Sequence, residues 1–256
     1  MSDEAFATQY GPWAIVAGAS EGVGAALARH LGERDVNVVL VARRREALDE
    51  VAATVKSETR VVPLDLSAAD AATRLADATG DLDVGLVVYN AGADPYMAQF
   101  LDQPIAVWQS MLARNCATVL ATTHHFANRL VARGRGGIVL VTSGAAWAGG
   151  NRVAVYGATK AFDLLLAESL WIELQPHGVH VLAAILGATD TPALRRLIGD
   201  RDVGELASAD AVARDILANI GNGPTLPPDA TPFSGLARRQ CVELMSAGTA
   251  AIHGHD

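Results

Sequence analysis

A tyrosine and a lysine four residues apart, Tyr156 and Lys160, are the side chains of this sequence best suited to proton transfer. On a helix, residues at this spacing lie on the same face, one turn from each other. An ammonium near a phenol stabilises the phenolate, which makes the phenol a usable general acid and base. The pair predicts a group that donates a proton in one direction of a reaction and accepts it in the other. The alternative is an ordinary exposed pair on a helix surface.

Two further polar residues precede this pair. Ser143 follows the apolar segment 137–142, and the carboxyl ends of parallel strands are where α/β sheets bind ligands. A hydroxyl at such an end is available to bind a ligand. Asn115 lies within a long helical pattern. Taken singly, both also fit a structural role, as a strand-end hydroxyl and as an amide bonded to its own helix.

A glycine-rich stretch, GASEGVG at residues 18–24, stands between an apolar run at 13–17 and a helical pattern. Gly18 permits a tight turn, Gly22 lets backbone approach a pyrophosphate, and Gly24 allows close packing of helix on strand. The helix N-terminus presents N–H groups and a positive dipole end to an anion. The stretch predicts a phosphate site, with a plain turn as the alternative.

The glycine spacing resembles that of the short-chain dehydrogenase/reductase family, and so do LDL at 64–66, YNAG at 89–92 and YGATK at 156–160. The resemblance covers residues 10–192. Within the family, the sequence resembles the 3-oxoacyl-CoA reductase and 17β-hydroxysteroid dehydrogenase branch. Tyr89 stands where the family has Asn, and Leu186 where it has Pro. The resemblance implies hydride transfer between a nicotinamide dinucleotide and a carbonyl or secondary alcohol.

The resemblance also implies which residues form the site. Asn115 would hold a water in a proton relay through Lys160, and Asp65 would contact the adenine. The catalytic residues it implies are Asn115, Ser143, Tyr156 and Lys160. The cofactor-binding residues expected here are Gly18, Ser20, Glu21, Gly22, Val23, Gly24, Arg43, Arg44, Asp65, Leu66, Asn90, Ala91, Gly92, Tyr156, Lys160, Gly187, Thr189 and Thr191.

The end of the predicted second strand bears on the choice of dinucleotide. An acidic residue there would bond the ribose 2′-hydroxyl of NAD, whereas Ala42 is followed by three arginines at 43–45. Guanidinium groups suit a 2′-phosphate, so the expected cofactor is NADP(H) and NAD is the less favoured choice. Glu21 is the residue that argues against this choice. The alternative is that the three arginines bind no cofactor and only form the solvent-exposed cap at the start of the next helix.

Apolar runs alternate with helical patterns along the whole chain. Runs that are apolar at nearly every position indicate strands covered on both faces, hence a parallel sheet. The chain is predicted to form a single-domain α/β Rossmann fold over residues 1–256, with a doubly wound sheet of about seven strands and helices on both faces. Strands are expected at Trp13–Ala17, Val36–Ala42, Arg60–Leu64, Val84–Tyr89, Gly137–Thr142 and Val179–Leu186. Helices are expected at Gly22–Glu33, Arg45–Ser57, Ala68–Asp77, Ile105–Arg133, Tyr156–Leu174 and Asp210–Ile220.

The C-terminal third is less regular. Residues 187–205 have the character of a substrate lid, and one short last strand is expected within 221–234. A helix is expected at Gly235–Met245, followed by a flexible tail at 246–256.

Composition excludes several classes of function. The net charge of −8 argues against nucleic-acid binding, and two distant cysteines give neither a disulfide framework nor a thiolate metal site. The histidine pairs at 124–125 and at 253 and 255 do not predict a metal site either. The acidic N-terminus is no signal peptide, and no apolar run reaches the ~18 residues of a membrane span, so a cytoplasmic protein is expected.

Substrate and assembly are expectations from the same features. An apolar substrate is expected, a 3-oxoacyl thioester or a keto-steroid. The alternatives are a dinucleotide-binding sensor without catalysis and an epimerase or dehydratase of the same fold. A homodimer or homotetramer is expected through the helices at 105–133 and 156–174. The apolar residues there that serve either an interface or the core are Leu164, Leu165, Leu166 and Trp171.

Overall fold

A seven-stranded parallel sheet forms the centre of the computed structural model, which describes residues 1–227, 236 and 238–253. The strands are β1 (Trp13–Ala17), β2 (Asn37–Ala42), β3 (Thr59–Pro63), β4 (Val84–Tyr89), β5 (Gly136–Ser143), β6 (Val179–Leu186), β7 (Thr189–Asp190), β8 (Ala207–Ser208) and β9 (Thr225–Leu226). The sheet order is β3-β2-β1-β4-β5-β6-β9, and β7 pairs with β8 separately. This order confirms the predicted doubly wound Rossmann fold.

Ten α-helices surround the sheet in the described part of the chain. They are α1 (Asp3–Tyr10), α2 (Gly22–Gly32), α3 (Arg45–Ala52), α4 (Ala71–Ala78), α5 (Ile105–Leu112), α6 (Thr118–Arg133), α7 (Ala154–Leu174), α8 (Pro192–Ile198), α9 (Ala209–Asn219) and α10 (Arg238–His253). Of the described helices, none is both long enough and apolar enough to cross a bilayer.

Both faces of the sheet are buried, which explains why its strands are apolar at successive positions. Val16 packs with Leu27 of α2 in one core cluster, whereas its neighbour Ile15 packs with Phe126 of α6 in the other. All four side chains are almost fully buried. Burying a side chain of this size contributes about 1.5–3 kcal/mol, so the two layers hold the sheet rigid beneath the site at its edge.

The segment predicted as one helix at Ile105–Arg133 is in fact interrupted. A π-helical turn, Ala113–Ala117, separates α5 from α6. The carbonyl of Arg114 in this turn accepts a hydrogen bond from the Tyr89 hydroxyl at 2.8 Å. Sequence periodicity does not reveal such a bond, because it joins residues that are distant in the chain. π-turns within helices are frequent at functional sites.

The C-terminal helix extends further than expected. The segment from Ser246, predicted as a flexible tail, continues α10 up to His253. Ser246 donates to Val242 O at 2.8 Å and accepts from the Asn151 backbone N–H at 3.0 Å, which anchors α10 to the segment after β5. Residues 228–235, 237 and 254–256 lie outside the described part, and with them Gly235, the predicted start of this helix. The predicted last strand is β9.

Candidate active site

The proposed proton donor lies where α7 begins. Tyr156 is in the first turn of α7, and Ser143 is the last residue of β5. A Cβ added to Gly157 would lie 3.0 Å from the carbonyl oxygen of Ala145, so the start of α7 packs closely on the turn after Ser143. The Ser143 hydroxyl accepts from the Ala145 N–H at 3.2 Å. Ser143 and Tyr156 are both half-buried, and Ser143 ends β5 at the carboxyl edge of the sheet.

Lys160 is buried beneath Tyr156. Its side chain is only 4% exposed, and its Nζ lies 5.9 Å from the centre of the Tyr156 ring. Nζ donates to the carbonyl oxygen of Val141 at 2.9 Å and to Oδ2 of Asp163 at 3.0 Å. Strand β5 and helix α7 therefore hold the ammonium between them.

Sequence reasoning missed Asp163. Burial raises the pKa of this carboxyl, although the neighbouring Lys160 ammonium acts in the opposite direction. The available signal was a single acidic residue three positions after Lys160 in the otherwise apolar stretch AFDLLLA. A charge on the buried face of a helix needs a partner, and here the partner is the lysine.

Asn115 lies in the π-turn and is fully buried. Its Nδ2 donates to Gly92 O at 3.2 Å and to Thr159 Oγ1 at 3.1 Å, while its Oδ1 accepts from Arg114 Nε at 2.9 Å. Thr159, also missed by sequence reasoning, in turn donates to the Tyr156 carbonyl at 2.8 Å. Asn115 thus joins the end of β4 to α7, and its role in a water relay stays a prediction.

The glycine stretch packs against the segment after β4. Gly18 has φ +84°, and a Cβ there would lie 2.8 Å from Ala91 N. The Asn90 amide donates to Gly18 O at 3.0 Å. A Cβ on Gly92 would lie 2.7 Å from Lys160 Nζ, which brings the glycine turn, this segment and the lysine together.

The N-terminus of α2 is suited to an anion. Glu21 is the N-cap residue of α2, and its side chain makes no capping hydrogen bond to the described residues of the helix. The N–H groups of the first turn are therefore available as donors to a bound anion. Gly22 has φ +57°, and a Cβ there would lie 2.9 Å from Cγ2 of Thr191. This cradle, which only glycine leaves open, fits the pyrophosphate of a dinucleotide.

The Glu21 carboxylate faces two guanidinium groups. Arg196 on α8 donates to it at 3.1 Å, and Arg44 lies 3.9 Å from it. The negative charge of Glu21, the residue that argued against NADP, is therefore paired with guanidinium groups of the protein. Because Arg196 belongs to the predicted lid, the pair also connects the lid to the start of α2.

A second cluster of charged side chains, formed by Arg43, Asp65 and Arg114, lies near the ends of β2 and β3. Hydrogen bonds from the backbone and hydroxyl of Ser67 lower the pKa of Asp65, and Arg43 contributes to the same effect. Burial lowers the pKa of Arg114, with a further contribution from the charge of Arg43. The sequence predicted Arg43 and Asp65 here but not Arg114, which the π-turn brings to the cluster.

The other predicted cofactor residues lie in the same segments. Leu66 is buried, and its carbonyl accepts from the Thr118 hydroxyl at 2.8 Å. Thr189 is buried and donates to Gly187 O at 3.1 Å, whereas the Thr191 hydroxyl caps α8. Ser20, Val23, Gly24 and Ala91 complete the set in the glycine turn and after β4. In the described part of the chain, no three His, Cys, Asp or Glu side chains are grouped to hold a metal ion.

Known proteins share this sequence pattern and fold. The family model for short chain dehydrogenase matches residues 12–202. A 7beta-hydroxysteroid dehydrogenase from Clostridium sardiniense is 38% identical over 191 residues, which are 73% of each chain.

Two solved structures are similar over most of the chain. One, from work on 7beta-hydroxysteroid dehydrogenase stereoselectivity, has a TM-score of 0.84 and 27% identity, and the match covers 94% of this chain and 98% of the other. A short-chain dehydrogenase from Sphingobium yanoikuyae in complex with NADPH has a TM-score of 0.76 and 28% identity, with coverage of 86% and 89%. The chain belongs to the short-chain dehydrogenase family.

Proposed function

We propose that this protein is an NADP(H)-dependent oxidoreductase that transfers a hydride between the nicotinamide and the carbonyl or secondary alcohol carbon of an apolar substrate. The observation that carries the proposal is the grouping of Ser143, Tyr156 and Lys160 at the carboxyl edge of the sheet, beside the glycine cradle at 18–24. Membership of the short-chain dehydrogenase family supports an oxidoreductase.

Each side chain has a distinct task in the reduction of a ketone. A bound nicotinamide dinucleotide supplies the hydride. The Ser143 hydroxyl binds the substrate oxygen, and Tyr156 donates its phenolic proton to that oxygen as negative charge develops there. Lys160 stabilises the resulting phenolate, because its buried ammonium lies beside the ring. Tyr156 accepts the proton when the reaction runs towards the ketone.

We propose NADP(H) because β2 ends in Ala42, where an acidic residue would bind the ribose 2′-hydroxyl of NAD, and exposed guanidinium groups follow it. Arg43 is the principal ligand of the 2′-phosphate, since Arg44 is already drawn to Glu21. Both guanidiniums are exposed to solvent, as access to the ribose requires. The NADPH complex of a structural relative is consistent with this choice.

Arg43→Ala is expected to reduce the affinity for NADPH by about 10–100-fold, the worth of a charge-assisted hydrogen bond, while NADH binding changes little. Fluorescence titration with each dinucleotide measures both affinities. Arg45→Ala, which removes the same charge from the exposed first residue of α3, is the matched control. A wild-type protein that prefers NADH, or an equal loss for both dinucleotides, would contradict the assignment.

A keto-steroid is the substrate that we propose first, with a 3-oxoacyl thioester as the alternative. The relative that is 38% identical is a hydroxysteroid dehydrogenase. Apolar side chains follow β4, where Tyr96, Phe100 and Leu101 are exposed. Gly150, after β5, packs on Met245 of α10, so the C-terminal helix adds an apolar side chain beside the segment that follows Ser143. Such surroundings favour an apolar substrate over a sugar.

The proposed function is tested by NADPH oxidation with keto-steroids, 3-oxoacyl thioesters, sugar ketones and aldehydes. Turnover is expected with the first two classes, and the higher kcat/KM identifies which of them the pocket fits. Oxidation of NADPH by sugars alone would contradict the substrate class. Binding of NADPH without turnover on any carbonyl would favour a dinucleotide sensor.

We also propose that the protein forms a homodimer through α5, α6 and α7. Leu112, Leu120, Leu165 and Ile172 are exposed on these helices, whereas Leu164 lies in the core. Leu165→Glu places a charge in this apolar face and is expected to convert dimers to monomers without loss of fold. Light scattering at micromolar concentration measures the mass. A monomeric wild-type protein would contradict the proposal.

A further inference from the structure

A buried carboxylate that the proposed chemistry does not require lies against the lysine of the site. Asp163 Oδ2 is 3.0 Å from Lys160 Nζ, and both side chains are 4% exposed. The other carboxylate oxygen of Asp163 is also buried and has no hydrogen-bond partner in the described part of the chain. An unpaired buried carboxylate is costly, so Asp163 depends on the lysine as much as the lysine depends on it.

The position of the ammonium is closely defined. Among the described residues, its three N–H groups have two acceptors, Val141 O and Asp163 Oδ2, which leaves one donor for Tyr156 or for the cofactor. Gly92 limits the space on another side, because a Cβ there would lie 2.7 Å from Nζ. A flexible lysine side chain is thus held in one arrangement before any ligand binds.

We propose that Asp163 is a positioning residue for Lys160 and that its negative charge sets the pH at which the Tyr156–Lys160 pair ionises. This inference rests on the proposed roles of Tyr156 and Lys160. Asp163 fixes the ammonium beneath the tyrosine ring. Its charge also opposes proton loss from the pair, since an anion nearby disfavours the removal of a proton.

Among the described residues, the titratable groups that face this pair from the elements packed on α7 are Cys116, Tyr89 and Arg114. Burial, with a smaller contribution from Asp163, raises the pKa of Cys116 in the π-turn to about 11. Burial likewise raises the pKa of Tyr89 on β4. Arg114 stays cationic although burial lowers its pKa. A pH effect that follows the charge at position 163 therefore has one source.

The test is a spectroscopic titration of Tyr156 in the whole protein. The near-ultraviolet phenolate absorbance of each protein is compared with that of the same protein carrying Tyr156→Phe, so the difference reports Tyr156 alone. In Asp163→Asn, which keeps the shape and an oxygen acceptor, the ionisation midpoint is expected to fall by roughly half a pH unit or more. The acid limb of alcohol oxidation is expected to move in the same direction.

Two further variants complete the design. Glu173→Gln removes the same charge from the far end of α7, about 20 Å from Lys160, and is expected to leave the midpoint unchanged. Asp163→Ser, neutral and smaller, provides a second measurement if Asp163→Asn melts early. An unmoved or raised midpoint in either folded variant overturns the inference. A lowered midpoint in a protein that reduces no carbonyl supports the inference and contradicts the proposed function.

Discussion

Tyr156→Phe is expected to reduce turnover by about 10²–10⁴-fold, the usual contribution of a positioned general acid. The substitution removes the hydroxyl that we propose protonates the substrate oxygen beside Ser143. The ring still packs in the first turn of α7 and still lies over Lys160. The affinity for NADPH is therefore expected to change by less than about tenfold. Steady-state kinetics and fluorescence titration measure the two quantities separately.

Tyr10→Phe is the control for loss of a phenolic hydroxyl. Tyr10 is buried in the core and bonds His180 at 2.7 Å, away from the proposed site. Its variant is expected to lower thermal stability and to retain turnover. If Tyr156→Phe kept most of its activity while still folded, another group would have to protonate the substrate and the assignment of the general acid would be wrong.

Gly18→Ala is expected to reduce NADPH affinity by at least about tenfold and to destabilise the protein by about 1–3 kcal/mol. The new Cβ would lie 2.8 Å from Ala91 N and 2.9 Å from Ala91 Cα, and neither backbone atom can move easily. The positive φ of +84° adds backbone strain. Displacement of the turn would move the N-terminus of α2 away from the pyrophosphate.

Gly134→Ala separates strain from collision. Gly134 has φ +70°, and among the described residues no heavy atom lies within 4 Å of the position that its new Cβ would take. This variant is expected to lose stability through strain alone, hence less than Gly18→Ala loses, and to bind NADPH normally. Equal affinities of Gly18→Ala and the wild type would show that the turn does not shape a cofactor site.

Much of the fold could be predicted because its causes are local. Strands buried on both faces are apolar at successive positions, and the glycine turn marks the start of α2. Helix ends were less predictable: α3 stops at Ala52, where the Thr54 hydroxyl bonds Val51 O at 2.7 Å, and not at Ser57 as expected. The π-turn was missed for a similar reason, since the bond from Tyr89 to Arg114 O that accompanies it depends on tertiary structure.

The site shows the same division. Ser143, Tyr156 and Lys160 carry a recognisable spacing, so the sequence alone indicates them. Thr159 acts on that group through a hydrogen bond from Asn115 that forms only when α7 packs against the π-turn. Asp163 lies three residues after Lys160 on the same helix, and packing of α7 buries this ion pair. In the sequence, the one signal of these contacts was the charge of Asp163 on an otherwise apolar helix face. The pairing of Glu21 with Arg196 had none, because those residues are 175 positions apart.

The central claim is that hydride passes from NADPH to a carbonyl carbon under control of Tyr156. The most direct test uses NADPH that carries deuterium at C4 of the nicotinamide, with a keto-steroid as acceptor. The proposal predicts that deuterium appears on the carbinol carbon of the product, and that Tyr156→Phe slows its formation by about 10²–10⁴-fold. An alcohol product without deuterium from either C4 position, or an equal rate of labelling by the Tyr156→Phe variant, would contradict the claim.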